Sequence, residues 1–311
     1  MGDWDRGLII LSILSINVKT ARDKRKKSPS TMKQKIIKDS SVTEINAVTG
    51  WVPLNLGELW LYRDLLFFFL WRDLRGRYRQ MALGPLWIIV GPVVNMLLFT
   101  LVFGKLANLG PEGVPYPLFN FAALLVWGLF AGTAQSTASS LLDSRALISK
   151  VYFPRLVMPL VGMLSSVFNF LISLLILVAL MVHYRWMPGL EIVFLPIYLL
   201  LAIICGMALG LWWAAWIVQY RDLQMVLDYL LKALMYASPV VYATTLIPEH
   251  WRSLYYINPL ANVVDGVRYC LLGMAPPPWR MVVLGFAVAV PILVLGAYHF
   301  RKTERNIVDI A

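Results

Sequence analysis

The sequence predicts an all-helical integral membrane protein. Six helices cross the bilayer, an amphipathic interfacial helix precedes them, and two short re-entrant helices come before the last crossing. Three observations carry this prediction. Hydrophobic residues make up 59% of the 311 and charged residues 14%, against roughly 45–50% and about 25% in an ordinary soluble domain. The charges are also segregated, with 23 in residues 1–80 and only 17 in residues 81–300. A water-facing surface over that second stretch would need more of them, whereas lipid-facing helices need none. Finally, the stretch contains six apolar runs long enough to cross roughly 30 Å of hydrocarbon, which takes about 20 residues each. The net charge of +11 would point to nucleic acid on a polar chain; on this one no nucleic-acid partner is expected.

Residues 1–50 read as a disordered basic tail resting near anionic lipid. The apolar run at 8–16 is too short to span, is followed by RDKRKK and has no small-residue cleavage site, so it makes a poor signal peptide. Met32 is an alternative start that would remove the first 31 residues; the intact mass of the natively expressed protein distinguishes the two. Residues 51–82 form the interfacial region. In ELWLYRDLLFFFLWRDLRGRYRQ, helical spacing puts Phe67, Leu70, Trp71, Leu74 and Tyr78 on one face and Arg72, Asp73, Arg75, Arg77 and Arg79 on the rest. Such a helix either anchors the chain at headgroup depth or turns its arginines toward phosphate or a protein partner.

The six spans fall at 83–103, 117–138, 156–182, 192–218, 227–246 and 281–300, the fifth carrying Lys232 and interrupted by Pro239. An even number puts both termini on one side. With the termini cytoplasmic, that side holds 23 basic residues, including Arg145, Lys150, Arg155, Arg221 and Lys232. The other side holds five: Lys105, Arg185, Arg252, Arg268 and Arg280. Positive charge marks the cytoplasmic side, so residues 301–311 form a cytoplasmic tail.

Two connections stand out. In SSLLDSRALISKVYFPRL (139–156), Leu141, Leu142, Ala146, Leu147 and Ile148 suit a short helix along the membrane face, ended by Pro154. It offers Lys150, Tyr152, Phe153 and Arg155 either to a groove on a soluble partner or to nothing more than a structured loop. Residues 248–273 are apolar yet broken by Asn258 and Pro259 and charged at Arg252, Asp265 and Arg268. Two short helices dipping into the outer leaflet and shielded by protein fit this segment.

Catalytic signatures are scarce. His183, His250 and His299 are not spaced as metal ligands, and HExxH, GxSxG and GxxxxGK[ST] are all missing. The chain therefore reads as neither an enzyme nor a metal protein, and energy must come from elsewhere. Lys232 is the ionisable side chain read within the spans, so proton or sodium coupling has little to work with. Cys205 and Cys270, in apolar surroundings, read as small core residues. Gly128 with Gly132 and Gly206 with Gly210 allow close helix approach. Trp127, Phe130, Trp212, Trp213, Trp216, Tyr236 and Tyr242 lie inside spans. They serve helix packing or offer flat faces to sugar rings.

Four stretches, WVPLNLGELWLYRDLLFFFLWRDLRGRYRQMALGPLW (51–87), GVPYPLFNFAALLVWGLF (113–130), LISKVYFPRLVMPL (147–160) and NPLANVVDGVRYCLLG (258–273), occur in this order. Together they closely resemble the membrane subunit of polysaccharide-exporting ABC transporters, permeases that move O-antigen, capsule or teichoic-acid chains across the bacterial plasma (inner) membrane. The resemblance covers residues 51 to about 309. It implies a homodimer working with two cytosolic ATPase subunits that bind ATP and Mg, this chain itself holding no cofactor. The implied cargo is a polyprenyl-diphosphate-linked polysaccharide, O-antigen-like in the first reading. Teichoic acid, capsule, or a small drug or lipid is the alternative.

The resemblance also implies roles for particular residues. A coupling helix within 141–155 would seat Ser149, Lys150, Val151, Tyr152, Phe153, Pro154 and Arg155 in the ATPase. Residues 58–80 would form a gate helix whose Arg72, Arg75, Arg77, Tyr78 and Arg79 meet the lipid head group. The channel candidates are Trp87, Tyr116, Phe119, Trp127, Phe130, Tyr236, Tyr242 and Tyr255, with the re-entrant segment 248–273 at the outer mouth.

Overall fold

A computed structural model gives the structure of the chain and describes residues 57, 60, 62–78, 86–107, 110–111, 113–144 and 153–306. The chain divides into two units, Met1–Gly50 and Trp51–Ala311, and every described residue belongs to the second. Among the described residues there are helices and connections but no strand. In chain order they are α1 (Arg63–Tyr78), α2 (Trp87–Phe99, continued by a π-helical turn Thr100–Leu106), α3 (Tyr116–Asp143), α4 (Val157–His183), α5 (Leu195–Ile217, preceded by the 3₁₀ turn Leu190–Phe194), α6 (Leu223–Ala237), α7 (Glu249–Tyr255), α8 (Pro259–Leu272) and α9 (Trp279–Asn306).

Five of these segments are long and apolar enough to cross a membrane: Trp87–Leu106, Tyr116–Asp143, Val157–His183, Leu190–Ile217 and Trp279–Thr303. The fifth predicted span, 227–246, differs from expectation. Its helix α6 has 15 residues, about 22 Å at 1.5 Å per residue, and stops short of the roughly 30 Å hydrocarbon layer. Proline disfavours helical geometry in the residue before it, and Ser238, ahead of Pro239, is extended at φ −106° and ψ 155°. The chain then runs irregularly to a 3₁₀ turn at Thr244–Leu246.

Residues 248–273, expected to re-enter the membrane, contain two short helices, α7 and α8. Asn258 caps α8 by accepting from the Leu260 N–H at 3.0 Å, and Pro259 takes the first helical position, where an N–H has no partner anyway. Gly273 closes the helix in the left-handed conformation at φ +69°, and its N–H donates to the Tyr269 carbonyl at 3.1 Å. That conformation suits a residue without Cβ.

Helix α3 is central. In its most apolar window 72% of the residues are buried, against 28% in α4, α5 and α9 and 6% in α2. It packs against α4 on one side and α5 on another, while α9 and α8 cover α5. The α3–α5 approach uses one of the two small-residue pairs read in the sequence. A Cβ on Gly210 would lie 2.6 Å from the Ala134 carbonyl oxygen and 2.6 Å from Thr137 Cβ. On Gly206 it would lie 2.8 Å from the Phe130 oxygen and 2.9 Å from Thr133 Cβ. Gly128 meets nothing within 4 Å, so only its partner Gly132 faces a neighbour.

Overpacking at a close-packed site costs about 1–3 kcal/mol. Gly210→Val should therefore lower the thermal denaturation temperature and folded yield of the detergent-solubilised protein. Gly128→Val should leave both unchanged. Equal effects at the two positions would contradict the packing described.

Candidate functional site

Helix α1 lies on α4, which meets the end of the predicted coupling segment. Phe69, Phe153, Val157, Met158 and Val161 form one buried cluster, with Tyr62, Leu65, Leu66 and Leu70 packed around it. The Phe69 and Phe153 ring centroids are 5.4 Å apart. Ser165 Oγ donates to Asp73 Oδ2 at 2.7 Å, tying α1 to the body of α4. The side chain at the centre of this packing is Phe69, outside the apolar stripe read for the membrane interface. Phe67 and Trp71 are 64% and 67% exposed, and Phe69, between the two stripes, is 3% exposed. The run FFFLW supplies apolar side chains around most of the helix, so its own spacing does not select the stripe that packs.

Arg72 and Arg75 are exposed on α1, with the Arg72 guanidinium 4.9 Å from the Phe69 ring centroid. Arg77 and Tyr78 are described in backbone only, and Arg79 lies outside the described residues. The coupling helix predicted at 141–155 falls mostly outside them too. Leu141, Leu142 and Asp143 finish α3, whereas Ser149, Lys150, Val151 and Tyr152 are not among the described residues. Phe153 is buried, and Pro154 and Arg155 are half-buried just ahead of α4.

A second constellation surrounds Arg268 on α8, which is 1% exposed. Its guanidinium carbon sits 3.5 Å from the Phe119 ring centroid. Its Nη2 donates to the Val240 carbonyl at 2.9 Å, and Nη1 donates to the carbonyls of Pro239 and, at 3.4 Å, Tyr242. Nε donates to the Phe119 carbonyl at 3.4 Å. The Tyr116 hydroxyl donates to the remaining carbonyl of this stretch, Val241, at 2.9 Å. Thus the four successive carbonyls of residues 239–242, which no helix receives, are held by two side chains.

Asp265, one turn before Arg268, lies 3.7 Å from Nη1 and accepts from Thr244 Oγ1 and, at 2.9 Å, the Tyr256 hydroxyl. Burial raises the Asp265 carboxyl above its ordinary range against the pull of Arg268, Thr244 and Tyr256. Burial likewise brings Arg268 down to about 10, opposed by Asp265, which leaves it a cation at neutral pH. A cavity of about 120 Å³ opens beside them, lined by Phe119, Thr244, Arg252, Tyr256, Asp265 and Arg268 among others.

Four of the eight channel candidates converge here. The Tyr116 and Phe119 rings lie tilted at 46° with centroids 5.8 Å apart, and the Tyr242 and Tyr255 hydroxyls are 3.0 Å apart. Phe119 is fully buried beneath Arg268. Trp127 and Phe130, 5.2 Å apart, are also core residues of this chain. Trp87 is exposed, and Tyr236, also exposed, joins this group only through its carbonyl, which accepts from the Tyr242 hydroxyl at 3.3 Å. Of the other aromatics singled out, Trp212 stacks on His299 with centroids 5.0 Å apart and donates to the Ile292 carbonyl at 3.1 Å, docking α5 on α9.

Sequence reading missed Arg268 as a centre, taking it for an outer loop charge. The available signal was an arginine three residues after an aspartate in an otherwise apolar helix. It also missed Asp228, which stands one residue inside the predicted fifth span and accepts from Gln135 Nε2 on α3 at 2.6 Å. Cys205 and Cys270 are buried and free. Among the described residues no three His, Cys, Asp or Glu side chains group as metal ligands.

Residues 64–272, from the start of α1 to the end of α8, match the sequence model of the ABC-2 type transporter family. The chain is 34% identical over 255 residues to the O-antigen export system permease protein RfbA of Myxococcus xanthus, covering 81% of this chain and 97% of that protein. It is 27% identical over 257 residues to the protein of the same name from Klebsiella pneumoniae, covering 82% and 97%. Over 209 residues it is 27% identical to the polysialic acid transport protein KpsM of Escherichia coli, covering 65% and 78%.

Removing one member of a buried charge pair costs about 3–5 kcal/mol, and Arg268→Met would in addition strip the carbonyls of residues 239, 240 and 242 of their donor. The detergent-solubilised variant should denature at a markedly lower temperature. Arg252→Met, which removes hydrogen bonds from a more exposed arginine to the Ile247 and Thr245 carbonyls, should lose only about 1 kcal/mol. A variant at Arg268 as stable as one at Arg252 would refute the central role given to Arg268.

Proposed function

The chain belongs to the ABC-2 type transporter family, and from that premise we propose that it is the membrane-spanning subunit of an ATP-driven exporter of polysaccharide. The observation that carries this reading is the similarity to the O-antigen permease of Myxococcus xanthus along 97% of that protein. The cargo is a polysaccharide carried on polyprenyl diphosphate from the cytoplasm across the bacterial plasma membrane. The sequence has no P-loop, so hydrolysis falls to a separate pair of cytosolic ATPase subunits binding ATP and Mg, docked on two copies of this chain. The distribution of basic residues supports cytoplasmic termini, with residues 223–246 crossing as a broken segment.

The mechanism follows from the contacts of α1. Nucleotide-driven closure of the ATPases presses on the segment ending at Phe153, which packs directly on Phe69 of the interfacial helix. Motion of one therefore displaces the other. Arg72 and Arg75, exposed on that helix, and their neighbours Arg77 and Arg79 recruit the diphosphate head group, since guanidinium binds phosphate oxygens bidentately. The similarity to a polysialic acid transport protein supports capsule as a second cargo.

Deleting the gene should remove surface polysaccharide and leave lipid-linked glycan inside the cell, and an ATPase should co-purify with the restored protein. Normal surface glycan in the deletion strain would refute the proposal. Arg75→Ala combined with Arg77→Ala should lower surface glycan at unchanged membrane abundance; undiminished glycan would remove the head-group role.

A further inference from the structure

Helix α1 holds to the rest of the chain through one stripe. It runs from half-buried Tyr62, just ahead of the helix, through Leu66 and buried Phe69 to half-buried Asp73, the i, i+4, i+7, i+11 spacing of a single helical face. Three of these four contacts are apolar, and apolar attraction has no direction. Exposed Phe67, Phe68 and Trp71 offer the cluster of Phe153, Val157, Met158 and Val161 equally large apolar groups. Turning α1 by one residue, about 100° at 3.6 residues per turn, would therefore forfeit little burial. It would, however, carry Arg72 and Arg75 round with it. Burial alone does not choose the rotation.

Asp73 can choose it. Its Oδ2 accepts from Ser165 Oγ at 2.7 Å, and Ser165 is 0% exposed. Hydrogen bonds are directional, and one to a carboxylate is among the stronger kind. The hydroxyl stands five residues from the midpoint of the crossing segment Val157–His183. That is about 7.5 Å at 1.5 Å per residue, inside a hydrocarbon layer whose half-thickness is about 15 Å. A carboxylate reaching that depth requires a polar partner. Asp73 is also the only acidic residue in 72–79, and a turn of one residue either way would present Arg72 or Leu74 to the hydroxyl instead.

Resting on the permease reading above, we infer that Asp73 is a positioning residue for export: held by Ser165, it sets the rotation of α1 on α4. That rotation keeps Phe69 against Phe153 and turns Arg72 and Arg75 away from the chain. A single polar contact fixing the register of an otherwise apolar packing is a known use of buried polar groups.

The test uses the full chain, co-expressed with its ATPase in cells lacking the chromosomal copy, and two pairs of variants of nearly equal shape. Ser165→Thr keeps the donor and Ser165→Val removes it; Asp73→Asn keeps an acceptor and Asp73→Leu removes it. Rotation is read with a water-soluble maleimide on single added cysteines, since Cys205 and Cys270 are buried. With Asp73 and Ser165 in place, Arg75→Cys, at an exposed position, should label several-fold faster than Leu66→Cys, at a half-buried one. Ser165→Thr and Asp73→Asn should preserve that ratio, and Ser165→Val and Asp73→Leu should bring it toward one. Without added cysteines, the latter two should lower surface glycan several-fold at unchanged membrane abundance, with the ATPase still co-purifying and hydrolysing ATP. An unchanged labelling ratio in Ser165→Val and Asp73→Leu would overturn the register. A changed ratio with undiminished glycan would overturn its part in export. If the variants at fully buried Ser165 fail to reach the membrane, the pair at half-buried Asp73 decides by the same readings. The wild-type chain, scored for restored surface polysaccharide, checks the permease reading separately. If it restores none, that reading fails, while the labelling ratios still test the register.

Discussion

Beyond Pro239 the backbone leaves the helix, and the carbonyls of residues 239–242 would have no partner in an apolar environment, where each such group costs several kcal/mol. Arg268 takes three of them and Tyr116 the fourth. The arginine is fixed by Asp265 at 3.7 Å and by the Phe119 ring beneath it. Asn258, the cap of the helix that carries Arg268, also donates to Ser238 Oγ at 3.0 Å. The break after α6 and the start of α8 are thus two ends of one junction. Irregular backbone within a membrane domain is tolerated where protein supplies the missing hydrogen bonds, and here a cation held inside the chain supplies them.

This junction decides where the aromatic residues stand. Because Arg268 needs a ring beneath it and carbonyls around it, Phe119 becomes a core residue, and Tyr116, Tyr242 and Tyr255 gather beside it through their hydroxyls. At the far end of the domain a second junction joins Phe69 to Phe153. α3 runs the length between them, locked to α5 by backbone approach at Gly206 and Gly210. A central helix packed this closely moves as a body, since dense packing leaves little room for local give.

Much of the fold was legible from the residues. Asn258–Pro259 starts a helix and Gly273 ends it, as capping chemistry requires, and five long apolar helices lie where uncharged runs of sufficient length stand. The fifth run was legible only in part. Pro239 marked the interruption, but the cation that repairs it comes from residue 268, and nothing local announces a contact across 28 positions. Which face of α1 packs on the chain was not legible, because FFFLW is apolar all round. Asp228 stood close enough to a span boundary to resemble a loop charge, and its partner Gln135 belongs to another helix.

Composition, charge placement and the spacing of breakers therefore determined that this chain is an all-helical membrane protein, roughly where its helices lie and which of them proline cuts short. These are properties of single residues and near neighbours, so they survive without knowledge of the rest of the chain. The tertiary structure decided which stripe of α1 is buried, which aromatics are core and which are accessible. It also decided that Arg268 serves backbone carbonyls and that Asp228 meets Gln135. Each of these depends on groups brought together from distant parts of the chain, and in an apolar interior an unpaired charge or carbonyl is costly enough that such partners, once they meet, fix the arrangement around them.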